Sequence, residues 1–274
     1  MDARRLLIAA AVFCVAGSGW AAELVRIGGS GACVGAIELL ILEFRKTHPN
    51  VEFAPVASMG SGGALSAVSA GALDIAVLSR PLSDKQRAAG FQGIEYARTP
   101  FVIVVPEKMP VAGITKQELA EFLSGKRERW AHGERVRPVL RPPDDIDTDL
   151  LKRMSPAIAA ALDAAHKRSG MIFAATDRDA ADSVENIPGA IGTSTLGLVL
   201  SEKRRIKPVA LDGISPTLKA FESESYPYHK GLHMVWGLRK PGPEAGRFIE
   251  FVSSPRARAI LRETGHQVPP FRGG

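Results

Sequence analysis

Residues 24–46 read LVRIGGSGACVGAIELLILEFRK and join a short strand, a glycine-rich turn and an apolar helix. The apolar residues from 37 to 44 recur at three- and four-residue spacing, which predicts a helix over 34–46. A turn of this kind aims the first N–H groups of the helix, with the Ser30 hydroxyl, at the space beyond the strand. The unit therefore predicts a place where an anion could bind.

A second strand–turn–helix unit follows directly. Residues 51–56 form a predicted strand, 60–63 read GSGG, and 64–70 form a short predicted helix. The nearly continuous apolar strands at 74–78 and 101–106 alternate with helical segments, which is typical of a parallel α/β sheet covered on both faces. Two tandem turns at carboxyl ends of strands predict a ligand site there. Neither turn matches the dinucleotide fingerprint or the phosphate loop, which excludes nucleotide binding.

Later segments continue the alternation. We predict a helix over 116–123 capped by Thr115 and a long helix over 148–167 capped by Asp147. The remaining predicted strands are 135–140, 190–192, 207–211 and 231–237, and the last predicted helices are 243–251 and 255–263.

The composition is that of an ordinary folded chain. Its 274 residues are 45% hydrophobic and 23% charged, which excludes a disordered or polytopic membrane protein. Two cysteines exclude a disulfide scaffold. The 35 basic and 29 acidic residues give a modest net charge of +6, mostly interspersed, so nucleic acid is not a predicted partner.

The N-terminus has the pattern of a secretory signal peptide. Arg4 and Arg5 precede an apolar run over 6–16, and small residues follow. We predict that residues 1–21 are removed, with cleavage after Ala21 preferred to cleavage after Ala22, and that the mature chain is periplasmic. The run is too short to span a bilayer.

Other candidate groups allow more than one interpretation. Arg80 follows Ser79 at the end of a buried strand and could clamp an oxyanion or lie on the surface. The acidic residues of 144–149 copy the start of a calcium loop, but the required glycine is missing, which favours capping of a helix. Cys33 lies at a predicted helix N-terminus, which would lower its pKa, yet the sequence identifies no histidine partner. We predict no enzyme activity, no metal and no cofactor.

Several separated motifs resemble the phosphate-binding proteins of bacterial ABC importers. The first match comprises 59–64 (MGSGGA), 70–76 and 79–84 (SRPLSD). A second and stronger match comprises 114–119 (ITKQEL), 122–126 and Trp130. Further matching stretches are 188–192 with Ser194 and Leu196, and Tyr226-Pro227. The resemblance covers nearly all of residues 24–270.

The resemblance implies a two-lobed α/β periplasmic binding protein. Each lobe would be a mixed, mostly parallel sheet flanked by helices, with the ligand cleft between the lobes. Lobe I would hold 22–103 and 233–274, and lobe II 104–232, with crossings near 101–105 and 233–236. The function implied is capture of phosphate or a related small oxyanion, by a monomer that serves the membrane permease of an ABC importer.

Ligand-facing residues follow from the same resemblance. Carried over by position, they are the Ala32 and Cys33 backbone, Ser61, Ser79, Arg80 and Arg141. The candidate site also includes two residues that follow this arginine, Asp145 and Asp147. The last two mark a departure, because the family has a Gly-Ser-Gly-Thr turn after this arginine and residues 142–148 here read PPDDIDT. Prolines supply no N–H donor. A carboxylate 4 Å from an anion costs about 4 kcal/mol at an effective dielectric of 20.

That departure leaves three functions open. The carboxylates could accept a proton from a ligand such as monobasic phosphate. The same fold could instead bind a different solute, cationic or hydroxylated. The chain could also be a ligand-sensing or interaction protein with no role in transport.

Overall fold

The computed structural model describes residues 24–237 and 241–270. The predicted signal peptide, residues 1–21, lies outside these ranges. Among the described residues, no helix combines the length and the apolar character that crossing a bilayer requires.

Short strands and helices alternate along the described chain. The strands are β1 (Leu24–Val25), β2 (Ile27–Gly29), β3 (Glu52–Phe53), β4 (Ala57–Ser58), β5 (Ile75–Leu78), β6 (Gln92–Pro106), β7 (Gly113–Ile114), β8 (Arg137–Leu140), β9 (Ile172–Phe173), β10 (Ala190–Thr195), β11 (Ile206–Pro208), β12 (Ala210–Leu211) and β13 (His229–Trp236). The helices are α1 (Gly31–Phe44), α2 (Gly60–Ser69), α3 (Asp84–Ala88), α4 (Lys116–Ser124), α5 (Ile146–Met154), α6 (Pro156–Lys167), α7 (Asp177–Asn186), α8 (Leu196–Ser201), α9 (Leu218–Glu222), α10 (Pro243–Val252) and α11 (Pro255–Glu263).

One sheet runs through the whole molecule. Its order is β4-β2-β5-β13-β6-β10-β8-β9, with β11 also on β6. The long strand β6 changes partners along its length: residues 92–100 pair with β13, whereas residues 101–106 pair with β10 and β11. β6 therefore joins two bodies, each with parallel strands at its outer side.

Each body has its own hydrophobic core, and we name the bodies accordingly. Lobe I surrounds the apolar helix α1, whose Phe44 ring packs edge-on against Phe53 and Phe248. Lobe II surrounds the second part of β6, with Phe101 and Ile103 facing one core and Val102 and Val104 the other. The alternation on β6 is that of a strand covered on both faces. The predicted mixed, mostly parallel α/β fold is confirmed.

Some element boundaries differ from the predictions. The single helix expected over 148–167 is two helices, because Ser155 ends α5 and caps α6, and Pro156 cannot continue the earlier hydrogen bonds. The N-cap of α5 is Asp145, not Asp147. The strand expected at 101–106 begins nine residues earlier, at Gln92.

The predicted lobe boundaries stay predictions. The change of partner on β6 falls between Pro100 and Phe101. β13 pairs with the lobe I part of β6 from His229 onward, four residues before the predicted return at 233.

Candidate functional site

Two sheet edges meet where the lobes contact each other. In lobe I, parallel strands β4, β2 and β5 end just before Ser61, Ser30 and Ser79. β13 runs antiparallel to β5, so its first residues, including Lys230, lie at the same edge. In lobe II, the parallel strands β8 and β9 end before Arg141 and before the loop that leads to α7. Open α/β sheets bind ligands at such carboxyl edges.

A fully buried lysine occupies the centre of this region. The Lys230 ammonium lies between the carboxylates of Asp147 and Asp177, at 2.5 Å from Asp177 Oδ1 and in direct contact with Asp147 Oδ1. Its side chain has no exposed surface, and both carboxylates are almost completely buried. A buried charge needs such partners, because removal from water without compensation is very costly.

Hydroxyl groups hold the two carboxylates from opposite sides. Thr193 on β10 donates a 2.8 Å hydrogen bond to Asp147 Oδ2. Ser30, in the turn between β2 and α1, donates a 3.0 Å bond to Asp177 Oδ2. The Ser30 bond crosses from lobe I to lobe II, so the cluster connects the lobes directly.

Arg141 is a second buried cation at this edge. It is 4% exposed, and its Nε and Nη2 donate to the two oxygens of Asp145 at 3.3 and 2.7 Å. Its Nη1 donates to the Ala174 carbonyl at 3.1 Å. Asp145 also caps α5, since its Oδ1 accepts the Asp147 N–H at 2.9 Å. One carboxylate therefore pairs with two nitrogens of the guanidinium and also caps the helix N-terminus.

Burial and neighbouring charges shift the pKa values of Lys230, Asp177 and Asp147. Burial opposes the charge on Lys230, but Asp147 and Asp177 outweigh it and hold its pKa above the usual range. Burial also opposes ionisation of Asp177, yet Lys230 and Arg141 hold its pKa below the usual range. For Asp147, burial and the charges of Asp177 and Asp145 prevail over Lys230, so its pKa is raised. The two buried carboxylates that share Lys230 therefore differ in the direction of their pKa shifts.

The lobe I edge has a different character. α1 and α2 begin without a side-chain cap, and neither has an acidic residue in its first turn. Ser61 and Ser79 are brought together, since Ser61 Oγ accepts the Ser79 N–H at 3.3 Å. Gly60 has a φ of +70°, a conformation that favours glycine at the start of α2. Partial positive charge at the start of both helices remains uncompensated by carboxylates of their own.

Close packing seals the seam beside the cluster. A Cβ on Gly31 would lie 3.0 Å from the Arg178 nitrogen and 3.1 Å from the Asp177 Cβ, so glycine permits the approach of α1 to α7. Arg178 then bridges the lobes, with Glu38 of α1 at 3.0 Å and Glu202 after α8 at 2.7 Å.

The predicted site residues separate into four groups. Arg141, Asp145 and Asp147 lie together, as do Ser61 and Ser79. Arg80 points elsewhere: its guanidinium donates to the Pro81 carbonyl and to Gln86, each at 3.0 Å. Ala32 and Cys33 are buried in the first turn of α1. Which of these residues touch a ligand stays a prediction.

The expectation that the helix N-terminus lowers the Cys33 pKa is wrong. Burial is complete and raises the pKa of the thiol to about 12. Its Sγ donates to the Leu78 carbonyl at 3.5 Å. The thiol is therefore protonated at neutral pH and unsuited to act as a nucleophile.

The sequence interpretation missed four residues of the cluster: Ser30 as a contact of lobe II, and Asp177, Thr193 and Lys230 altogether. A signal for Lys230 existed. It precedes Leu232 and Met234 at two-residue spacing, so strand periodicity places it on their buried face. A lysine there requires buried carboxylate partners.

A wide cavity of about 980 Å³ also lies on lobe I, away from the cluster. Its arginines are engaged by the protein itself: Arg98 with Glu95 at 2.7 Å, Arg258 with the Pro269 carbonyl at 2.9 Å, and Arg262 with Glu222 at 3.7 Å. The buried cluster, in contrast to this cavity, lies where the two lobes touch and brings several charged side chains together.

Comparisons with known proteins agree with the geometry. The family model for a PBP superfamily domain matches residues 16–256. The phosphate-binding protein PstS of Borreliella burgdorferi is 20% identical over 252 residues, which cover 89% of each chain. A candidate phosphate ABC transporter substrate-binding protein from Clostridium perfringens, solved with bound phosphate, has a TM-score of 0.75 at 19% identity, covering 90% of this chain and 100% of its own.

The periplasmic molybdate-binding protein of Azotobacter vinelandii has the same architecture. Its TM-score is 0.64 at 14% identity, again over 90% of this chain and 100% of its own. At such identities the structural likeness shows the fold, and it confirms the predicted two-lobed arrangement. The phosphate-binding relatives confirm the predicted resemblance.

Proposed function

The chain belongs to the PBP superfamily, and from that premise we propose that it binds phosphate or a related small oxyanion in the cleft between its lobes. The observation that carries this proposal is the meeting of two carboxyl edges. One presents the uncapped starts of α1 and α2, and the other presents the buried Arg141. Helix N-termini and a guanidinium are the groups that hold oxyanions in proteins.

The relatives support the choice of phosphate. PstS of Borreliella burgdorferi is described as phosphate-binding, and the Clostridium perfringens structure contains phosphate. We propose that the mature chain acts in the periplasm after removal of residues 1–21, as a monomer. It would deliver its ligand to the membrane permease of an ABC importer, through binding and lobe movement and not through catalysis.

The direct test is calorimetric titration of the mature chain, residues 22–274, with phosphate, sulfate and molybdate. The protein is first unfolded and refolded to remove any ligand carried through purification. Saturable heat with phosphate and none with sulfate supports the proposal. Absence of heat and of thermal stabilisation with all three anions, in protein whose circular dichroism is that of a folded chain, contradicts it.

One observation favours a second candidate. Two buried cations already face three carboxylates, which disfavours a dianion and suits a cationic or hydroxylated solute in the same fold. Titration with polyamines and sugars in place of the anions tests that candidate. Adjacent importer genes would favour either solute-binding role, whereas a sensor kinase gene would favour ligand sensing without transport.

A further inference from the structure

We infer that Asp145 and Asp147 act as an internal anionic ligand of the cleft, which an incoming oxyanion must displace from Arg141 and Lys230. This inference rests on the proposed function and specifies how the same site is controlled. It makes the start of α5 an autoinhibitory contact that decides how strongly an oxyanion binds.

The first support is the geometry at Arg141. Asp145 uses both carboxylate oxygens on Nε and Nη2, the paired arrangement that a guanidinium also forms with two oxygens of a phosphate. The remaining nitrogen, Nη1, is held by the Ala174 carbonyl. All three guanidinium nitrogens are thus engaged by the protein itself, two of them by a carboxylate only four residues further along the chain.

The second support is the pairing at Lys230. Asp147 and Asp177 both contact the ammonium, and each carboxylate has a second partner, Thr193 or Ser30. Both cations of the cleft are therefore neutralised by the protein itself. Two cations, Lys230 and Arg141, face the three carboxylates of Asp145, Asp147 and Asp177, so the region has no net positive charge with which to attract a dianion.

The third support is that several donors of the connecting loop are missing or already engaged within the loop. Pro142 and Pro143 have no N–H group. The Asp145 N–H donates to the Pro142 carbonyl at 3.1 Å, and the Asp147 N–H donates to Asp145 Oδ1. The Thr148 hydroxyl donates to the Pro142 carbonyl at 2.8 Å. These groups therefore serve the loop itself.

The side-chain exposure suggests how displacement occurs. Arg141 is 3% exposed at its side chain, whereas Asp145 is 20% exposed. Asp145 is thus the member of the pair that can turn toward solvent while the guanidinium stays in place. An oxyanion that arrives with lobe I can then take over the two vacated donors.

The test measures phosphate affinity by calorimetry in Asp145→Ser, in Asp145→Ser/Asp147→Thr and in a matched control, Asp144→Ser. Serine is also a good N-cap, so α5 keeps its start. Asp144 is exposed and adjacent, and its substitution changes the net charge by the same amount. Thermal melting and circular dichroism establish that each variant is folded.

We expect Asp145→Ser to bind phosphate at least tenfold more tightly than the wild type, the double variant at least as tightly, and Asp144→Ser like the wild type. Phosphate binding by the wild type that neither variant improves overturns the inference and leaves the proposed function standing. Failure of every folded variant to bind phosphate overturns both, because freeing Arg141 would then admit no oxyanion.

Discussion

The helix N-termini at the two sheet edges differ in whether they carry carboxylates of their own. In lobe I, α1 and α2 begin after Ser30 and Met59 with no side-chain cap and no early carboxylate. In lobe II, Asp145 caps α5, Asp147 lies in its first turn, and Asp177 opens α7. Since a helix N-terminus attracts anions, lobe I leaves that attraction available, whereas lobe II satisfies it internally.

This difference assigns distinct roles to the lobes. A cleft built from two edges like that of lobe I would hold an oxyanion from both sides. Here the starts of α1 and α2 have no carboxylate of their own, although Asp177 of lobe II lies against Ser30, and the described cations of the lobe II edge are already paired. On the inference above, ligand affinity depends on how readily Asp145 and Asp147 give way. The Ser30–Asp177 hydrogen bond links the two lobes at this edge.

The largest effect is expected from breaking the lobe II cluster at its centre. Lys230→Met keeps the length of the side chain but leaves Asp147 and Asp177 buried without their cation. Removing one partner of a buried ion pair costs about 3–5 kcal/mol, because the remaining charge is uncompensated. Urea unfolding of the wild type and the variant measures this difference in the free energy of unfolding.

The matched control is Lys219→Met, an exposed lysine on α9. Substitutions at such surface positions change stability by about 0.5 kcal/mol or less. If Lys230→Met unfolds at the same urea concentration as the control, the paired charges of the lobe II edge do not stabilise the fold. The comparison between the two edges would then not describe a difference in stability.

The contrast also shows what the sequence alone can predict. Strand–turn–helix units are local, so residues 24–46 and 51–70 yielded the lobe I edge directly, although α1 begins at Gly31 and not at residue 34. Glycine and serine before an apolar run resemble a turn even where they already form the first helical turn. Residues 92–100 were missed because their polar side chains hide the strand pattern.

The lobe II cluster depends on contacts that no local pattern contains. Arg141 came from the resemblance, and Asp145 and Asp147 from the departure that follows it, but the cation that pairs with Asp147 lies far along the chain: Lys230 is 83 residues beyond it. The two-residue periodicity of a strand places Lys230 on the buried face of β13, but it does not identify the carboxylate that the lysine contacts. The prediction for the pKa of Cys33 was wrong for a related reason. The helix N-terminus that would lower this pKa is a local feature, whereas the burial that raises it depends on the whole fold.

As the pH falls, the contributions of His266 and of Asp177 to the free energy of unfolding should be lost at different pH values. His266 follows α11 in lobe I and packs into lobe II against Gly197, and burial lowers its pKa to about 4. The unfolded chain, with a histidine pKa of about 6.5, binds the proton more strongly, so stability is lost as pH falls from about 6.5 toward 4. Asp177 has a pKa below its usual range, so its contribution persists down to about pH 4 and is lost only below it.

Urea unfolding at several pH values measures this order. Between about pH 7 and pH 5, the wild type should lose about 2 kcal/mol that His266→Gln does not lose. His132→Gln, an exposed site, serves as the control and should follow the wild type. Equal pH dependence of the wild type and His266→Gln would show that His266 is not the group that titrates first.

The smallest effect is expected from adding a carboxylate at a helix N-terminus of lobe I, where lobe II already has carboxylates. Ser61→Asp places a carboxylate in the first turn of α2, where Ser61 Oγ now accepts the Ser79 N–H. Measured in the Asp145→Ser background, phosphate affinity should fall at least tenfold, about 1.4 kcal/mol, because the new charge repels the oxyanion and occupies the helix N-terminus.

Ser69→Asp is the control for this substitution, because it adds the same charge at the exposed far end of α2. The carboxylate in Ser61→Asp should stabilise the helix by about 0.3–1 kcal/mol, so a loss of binding cannot be attributed to unfolding. If Ser61→Asp binds phosphate as tightly as its parent, the lobe I edge is not the receptor for the anion. The uncapped starts of α1 and α2 would then be a matter of packing alone, and the oxyanion would have to be held by lobe II.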